Sequence, residues 1–424
     1  MTPDRPIVTS HLNTDTYKPF MMNYVTEYHP GVYARSELIN RHASAFPLQN
    51  YIDRGEFLEQ VDHARSIVHA DSEIAYLANS QHFPAGTLGR KYLDSLRTFR
   101  LPELDTDIGP DRFLVGCENL WCNESPWEIP LMNIVVQLYV RRRMRDAGLT
   151  YEQVWREAER RLREKIALVK KNPRVKFASF GLRRGWDNAF TAWADDVLAN
   201  ELPDQLVGIS CVGGAMRNGK RPSGTIAHEM FMILAALLGI DDETLRKVSF
   251  EFLRKWLKMY GPGRSCFIPD TWGSETFLNI LFADYRELAD QILTYKIDSG
   301  EPVDRGELHI RMFQEAGYDP TSRNLLFCDG LHIPDSMFSL QERFDGSVGI
   351  APFGPGTHLS FDIGFGIKPI SVVVKAVSVL RGNERVPCVK LSDTIDKAMG
   401  TRTEIERYMR VFKYRGNYQA ACEV

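Results

Sequence analysis

The chain has 424 residues, 44% hydrophobic and 25% charged, with 52 Lys and Arg against 55 Asp and Glu for a formal net charge of −3. That length exceeds the usual size of one domain, so two domains, or one barrel with additions, are expected. The charge balance excludes a dedicated nucleic-acid binder, which needs a strongly basic domain. The N-terminal stretch lacks the apolar core of a signal peptide, and the apolar runs 129–140 and 230–238 are too short or too interrupted to span a bilayer. Cys117, Cys122, Cys211, Cys266, Cys328, Cys388 and Cys422 are scattered, with no CxxC pair or Cys/His cluster, and read as reduced thiols of a cytoplasmic enzyme.

In chain order, Asp15-Thr16-Tyr17-Lys18 reads as a turn entering an aromatic-rich helix, and residues 32–40 alternate like a strand. Residues 51–100 read as mostly helical, and Trp127-Glu128-Ile129-Pro130 as a buried connector. Thr150 with Gln153 forms a capping-box pattern ahead of a helix that Asn172-Pro173 stops. Its arginines are interleaved with Glu152, Glu157, Glu159 and Glu164, which predicts a solvated, ion-paired face rather than a nucleic-acid surface. From Val175 onward short apolar runs alternate with helical patterns, which argues for a parallel sheet or barrel with ligands at the strand C-terminal ends. Long strand patterns then follow Lys368-Pro369, so the chain is expected to leave the barrel there.

The stretch 208–229, GISCVGGAMRNGKRPSGTIAHE, organises the rest. It reads as a small-residue loop and a basic turn opening a long apolar helix at His228. A histidine at a helix start meets free N–H groups and a partial positive charge that suit phosphate. Glu229 or another carboxylate can orient the ring. A lone histidine in that place is more often a helix cap, so corroboration must come from the other strand ends. Those carry Phe180 to Arg184, Ser210, Asp270, Asp298-Ser299-Gly300, Asp329-Gly330 and Gly354 to Thr357.

The sequence resembles nicotinate phosphoribosyltransferases over nearly its whole length. The motifs are DTYK (15–18), WEIP (127–130), SFGLRR (179–184), GTIAHE (224–229), PDTWGSETF (269–277), DSGEP (298–302), FCDGL (327–331), FGPGT (353–357) and KLSD (390–393). Each is weak alone; nine in the family's order are specific. The resemblance implies an α/β architecture. An irregular (β/α) phosphate-binding, TIM-like barrel of the type II phosphoribosyltransferases (residues 129–369) joins an α/β sandwich domain. Residues 1–128 and the strands and helix of 370–424 would build that sandwich, and the expected assembly is a homodimer with its active site near the interface. The implied reaction joins nicotinate to 5-phosphoribosyl-1-pyrophosphate for NAD salvage, driven by ATP through a phosphohistidine, with Mg²⁺.

By the same resemblance His228 is the phosphorylated residue. Asp298 and Asp329 meet the ribose hydroxyls, and Asp270 lies near Mg²⁺ and pyrophosphate. Phe180 and Tyr17 clamp the pyridine ring, and Arg183 takes phosphate or the nicotinate carboxylate. Ser210, Thr225, Lys296 and Lys390 complete the substrate contacts, and Gly330, Gly354, Gly356 and Thr357 cradle the 5′-phosphate. Three positions depart from the family pattern: Lys296 where arginine is usual, Ile297 where histidine is frequent, and Cys211 where asparagine is typical. A point charge in place of a planar fork at Lys296 bears on acid-versus-amide selectivity. The rival readings are a nicotinamide phosphoribosyltransferase, which carries an aspartate near Ser210, a barrel lyase with Lys296 as a Schiff-base amine, and a non-catalytic nucleotide-binding relative.

Overall fold

The computed structural model describes residues 5–394 and 397–414; Cys422, in the expected returning segment, lies outside the described residues. The strands are β1 (Tyr33–Asn40), β2 (Asp105–Gly109), β3 (Arg112–Leu120), β4 (Phe177–Ser179), β5 (Leu206–Ile209), β6 (Thr294–Ile297), β7 (Asn324–Phe327), β8 (Val372–Arg381) and β9 (Glu384–Pro387).

Both ends of the chain build one antiparallel sheet, in the order β2-β3-β1-β8-β9. The β-branched run of β8 suits a central strand buried on both faces. Gly382 and Asn383 form the two-residue loop to β9, with Gly382 at φ +63°. The β2–β3 hairpin is absent from the sequence reading because β2, DTDIG, is a short acidic edge strand with no apolar alternation. After Pro387 the Cys388 N–H still donates to Val377 O at 2.9 Å, and beyond it Lys390 pairs with Met399 in an isolated antiparallel bridge outside the sheet.

The middle of the chain closes a ring of parallel segments. β4 pairs with β5 and β6 with β7. Residues expected as strands around Phe267 and Phe353 contribute single bridges, to Tyr295 and to Phe177 and Phe327. Pro269, Pro352 and Gly354 keep them that short. The remaining gap closes through Pro222 bridging Ile209 and through Ile226 N–H donating to Cys266 O at 2.9 Å. The result is an irregular α/β barrel with its helices outside.

Two local expectations change. The small-residue loop is a helix, Val212–Asn218, ended by Gly219 in the left-handed region at φ +59°. Gly214 fits there because a Cβ would stand 2.9 Å from Asp195 Oδ2. WEIP is no mere connector: the helix Glu128–Asp146 begins within it, and Pro130 is tolerated in a first turn, where no N–H partner is lost. The helix Tyr151–Val169 starts at the expected capping box, with Arg156–Glu152 and Arg160–Glu157 pairs on its outer face. Among the described residues no helix is long and apolar enough to cross a membrane, and the cysteines that CxxC spacing left unpaired are free.

Candidate functional site

Four segments of the ring present cavity-lining residues just after their C-terminal ends, as barrel geometry dictates. Phe180 follows β4, Asp298 follows β6, Asp329 follows β7, and Gly354 follows the Phe353 bridge. The antiparallel sheet roofs this mouth with Arg41 after β1 and Lys375 from β8. Between them lies a cavity of about 860 Å³.

His228 stands at the wall of that cavity, 7% exposed, at the start of the helix His228–Leu238, with Ala227 as N-cap. Its Nδ1 lies 2.9 Å from Thr271 Oγ1, which in turn reaches Ile268 O at 3.4 Å. A carbonyl only accepts, so the Thr271 hydroxyl donates to it and accepts from His228 Nδ1–H. Nε2 therefore keeps its lone pair. That nitrogen faces Lys390 Nζ at 3.2 Å, Asp298 Oδ2 at 3.3 Å and Asp270 Oδ1 at 3.5 Å. Burial, reinforced by the Lys390 ammonium, pushes the His228 pKa down to about 4, so the ring is neutral at physiological pH. Glu229, proposed from sequence as its orienting partner, points away, to Lys18 Nζ at 2.9 Å and Trp121 Nε1 at 2.7 Å.

Asp270 is 1% exposed, behind His228; its Oδ2 takes Ser299 Oγ at 2.8 Å and Lys390 Nζ at 3.2 Å, while Oδ1 accepts no hydrogen bond. Burial alone would raise both aspartates; Lys390 turns Asp270 downward, and Lys296, 2.9 Å from Asp298 Oδ1, holds Asp298 well below the carboxylate range. Lys296 is fully enclosed, yet Asp298 outweighs the burial and raises its pKa. It is thus a fixed ammonium, unsuited to the Schiff-base chemistry of the lyase alternative. His228, Asp270 and Asp298 bring their ligand atoms within 4.8 Å of one another.

Phe180 and Arg183 line the same cavity. A Cβ on Gly354 would stand 2.8 Å from Cys328 Sγ and 2.9 Å from the Phe180 ring, so glycine is what lets that ring lie at the cavity wall. Arg183 is held through Nε by Asp15 Oδ2 at 2.8 Å, and Asp15 is held by Ser210 Oγ at 2.7 Å. Glu128 joins this group: Tyr17 OH donates to it at 2.9 Å and Lys18 Nζ pairs with it at 2.8 Å. Lys296, Asp329, Gly330, Gly356, Thr357 and Lys390 also line the cavity. Ser210, Thr225 and Tyr17 do not reach its wall within one chain; Ser210 acts on Arg183 through Asp15, and Tyr17 lies under the Arg183 guanidinium, 5.7 Å from its ring centroid.

Several site residues escaped the sequence reading. Thr271 sits in the quoted PDTW motif but had no assigned part. Arg184 ends the quoted SFGLRR motif but likewise had no assigned part, while Arg41 and Lys375 carried no motif signal, since each gains meaning only where the sheet meets the barrel. Burial and the neighbouring Arg183 and Arg41 lower Arg184 to about 10; burial and Lys390 lower Lys375 to about 8, against Glu128. A cavity lined by such an excess of cations concentrates anions. Lys397 is already paired, with Asp329 at 2.6 Å.

Residues 175–416 match the model of the nicotinate phosphoribosyltransferase (NAPRTase) family, and residues 12–136 that of the nicotinate phosphoribosyltransferase (NAPRTase) N-terminal domain. The solved nicotinate phosphoribosyltransferase from Porphyromonas gingivalis superposes with a TM-score of 0.83 at 25% identity, over 96% of this chain and 100% of that one. The enzyme from Vibrio cholerae gives 0.82 at 27%, over 98% and 96%. A putative nicotinate phosphoribosyltransferase from Saccharomyces cerevisiae, at 21% identity and a TM-score of 0.81, over 97% of this chain and 100% of that one, shares the fold. Matched by both models in order, with most of the candidate site residues gathered at one barrel mouth, the chain belongs to the nicotinate phosphoribosyltransferase family of enzymes.

Proposed function

We propose that the chain converts nicotinate and 5-phosphoribosyl-1-pyrophosphate to nicotinate mononucleotide and pyrophosphate, with ATP turnover passing through phosphorylated His228. The observation that carries this reading is the neutral imidazole whose Nδ1–H is committed to Thr271, leaving the Nε2 lone pair beside Lys390 at a cation-rich cavity. Nε2 attacks the γ-phosphorus of ATP, the bond to the β-phosphate oxygen breaks, and ADP leaves with the electron pair. Hydrolysis of the phosphohistidine later returns phosphate and the free ring.

In the transfer itself the pyridine nitrogen forms a bond to ribose C1′ while the C1′–O bond breaks and pyrophosphate takes its electrons. The nitrogen lone pair needs no base, so the protein contributes orientation and charge stabilisation. Phe180 offers a face to the ring, Arg183 or Lys296 a cation to its carboxylate, and Arg41, Arg184, Lys375 and Lys390 meet phosphate oxygens. Asp298 and Asp329 suit the ribose hydroxyls. Gly330, Gly354, Gly356 and Thr357 form the small-residue wall proposed for the 5′-phosphate. Magnesium prefers oxygen donors, and the unpartnered Asp270 Oδ1 beside the Asp298 carboxylate fits it; the ion when bound would neutralise pyrophosphate charge.

The test is mononucleotide formation from labelled nicotinate or nicotinamide with and without Mg-ATP. Product from nicotinate that rises with ATP is expected. In His228→Ala, no ATP-dependent phosphorylation of the chain should be seen, with the fold retained; normal phosphorylation in that variant refutes the assignment. Product chiefly from nicotinamide would transfer the reading to the amide.

A further inference from the structure

A second cavity, of about 510 Å³, lies on the far side of the DTYK helix Tyr17–Tyr28 from the barrel mouth. Tyr17 faces Arg183, whereas Lys18, Pro19 and Met22 line the second cavity. Its other walls come from the helix Arg90–Leu96, the segment 98–100 and the turn at Cys122 to Pro126.

Two features define what it would hold. The walls are apolar and aromatic: Leu77, Tyr92 and Leu96 on one side, and at one end Phe99 edge-on to His11 at 5.1 Å, with His11 against His69 at 4.7 Å. The ionisable lining is of one sign, since no acidic side chain contributes to it. Lys18 is satisfied by Ser125, Glu128 and Glu229, and burial holds His11 neutral, down at about 4. The exposed Lys91 and Arg100 are different: their hydrogen bonds go to the backbone carbonyls of Thr26 and Phe99. Arg100 acts electrostatically on His11 and Lys91 on Cys122, so the two charges bracket the cavity. Glu73, the carboxylate that reaches the histidine end, is engaged by Ser10, the Ala70 N–H and His69.

We propose that this cavity is a ligand site separate from the barrel mouth, for a small amphipathic anion: an aryl or medium-chain acyl body bearing one carboxylate, sulfonate or phosphate. The apolar walls take the body and the Lys91 or Arg100 cation takes the head.

The test uses the full chain and 8-anilinonaphthalene-1-sulfonate as fluorescent probe, with octanoate as competitor. Saturable binding of about one probe per chain is expected, displaced by octanoate and insensitive to saturating 5-phosphoribosyl-1-pyrophosphate, which lacks an apolar body and competes only at the barrel mouth. The double reversal Lys91→Glu, Arg100→Glu should weaken it about tenfold or more, a loss of ~1.4 kcal/mol. Ser95→Trp, at an exposed lining position, should block it while leaving the melting transition unchanged. Affinity unaltered in both variants, or displacement by 5-phosphoribosyl-1-pyrophosphate, overturns the proposal; octanoate without effect excludes the acyl class and overturns that part.

Discussion

His228 illustrates how a residue's neighbours choose its chemistry. Thr271 occupies Nδ1, Lys390 stands at Nε2, and burial keeps the ring neutral, so the nucleophilic nitrogen is the one at the cavity. Thr271→Val removes the acceptor that holds the proton on Nδ1 at nearly constant volume. ATP-dependent phosphorylation of the chain should fall roughly 10- to 100-fold, as for other residues that orient a reacting histidine, with Thr271→Ser restoring most of it. An unchanged phosphorylation rate in the valine variant would mean that the tautomer is set elsewhere. The motif PDTW was visible in the sequence, but the hydroxyl's partner, 43 positions upstream, was not.

Among the elements, the Phe353–Gly354 segment shows why glycine recurs at the barrel mouth. It bridges β4 and β7 with one residue and then runs past the Phe180 ring and Cys328 Sγ. Gly354→Ala places a methyl group where neither neighbour can retreat far, because Phe180 N–H is tied to Pro355 O at 3.0 Å and Cys328 N–H to Ile297 O at 3.1 Å. The expected result is a rise of about tenfold in KM for nicotinate with a native far-UV circular dichroism spectrum. A variant with wild-type KM would show that the ring contact does not serve substrate. The helices were the legible elements: the capping signal at Thr150 places one of them, with Thr150 Oγ1 accepting from Gln153 N–H at 3.2 Å. The strands near Phe267 and Phe353 were legible as apolar runs but not as single bridges, because pairing length depends on the partner segment.

Five histidines of the molecule, two buried and three half-buried, are held in neutral form. His11, His29, His228, His309 and His358 are all lowered from 6.5 to about 4, each chiefly by burial. With the folded-state pKa below the unfolded one, protons bind the unfolded chain first as pH falls. Stability is therefore full above about pH 6.5 and declines through the window down to about pH 4. Asp195, pushed up to about 7 by burial, and Glu124 and Asp393, also raised chiefly by burial, work in the opposite direction, but as three groups against five. The urea midpoint should drop steadily from about pH 7 to about pH 4.5, and His309→Gln, at a site remote from the cavity lining, should lessen the slope. A flat midpoint across that range would show the histidines to be accessible to protons in the folded state.

The order of nine short motifs, the strand–helix rhythm after Val175 and the helix caps are local properties, and the sequence by itself determined them: the family, the α/β class and most of the residues at the barrel mouth. What only the tertiary structure decided are the relations between distant segments. These include the ring closing through Ile226 and Cys266, the turning of Glu229 away from His228, the retreat of Ser210 behind Asp15, and the cationic roof from Arg41 and Lys375. Each depends on which side chain meets which across long stretches of chain. That is settled by packing and charge pairing in three dimensions, where periodicity and spacing carry no information.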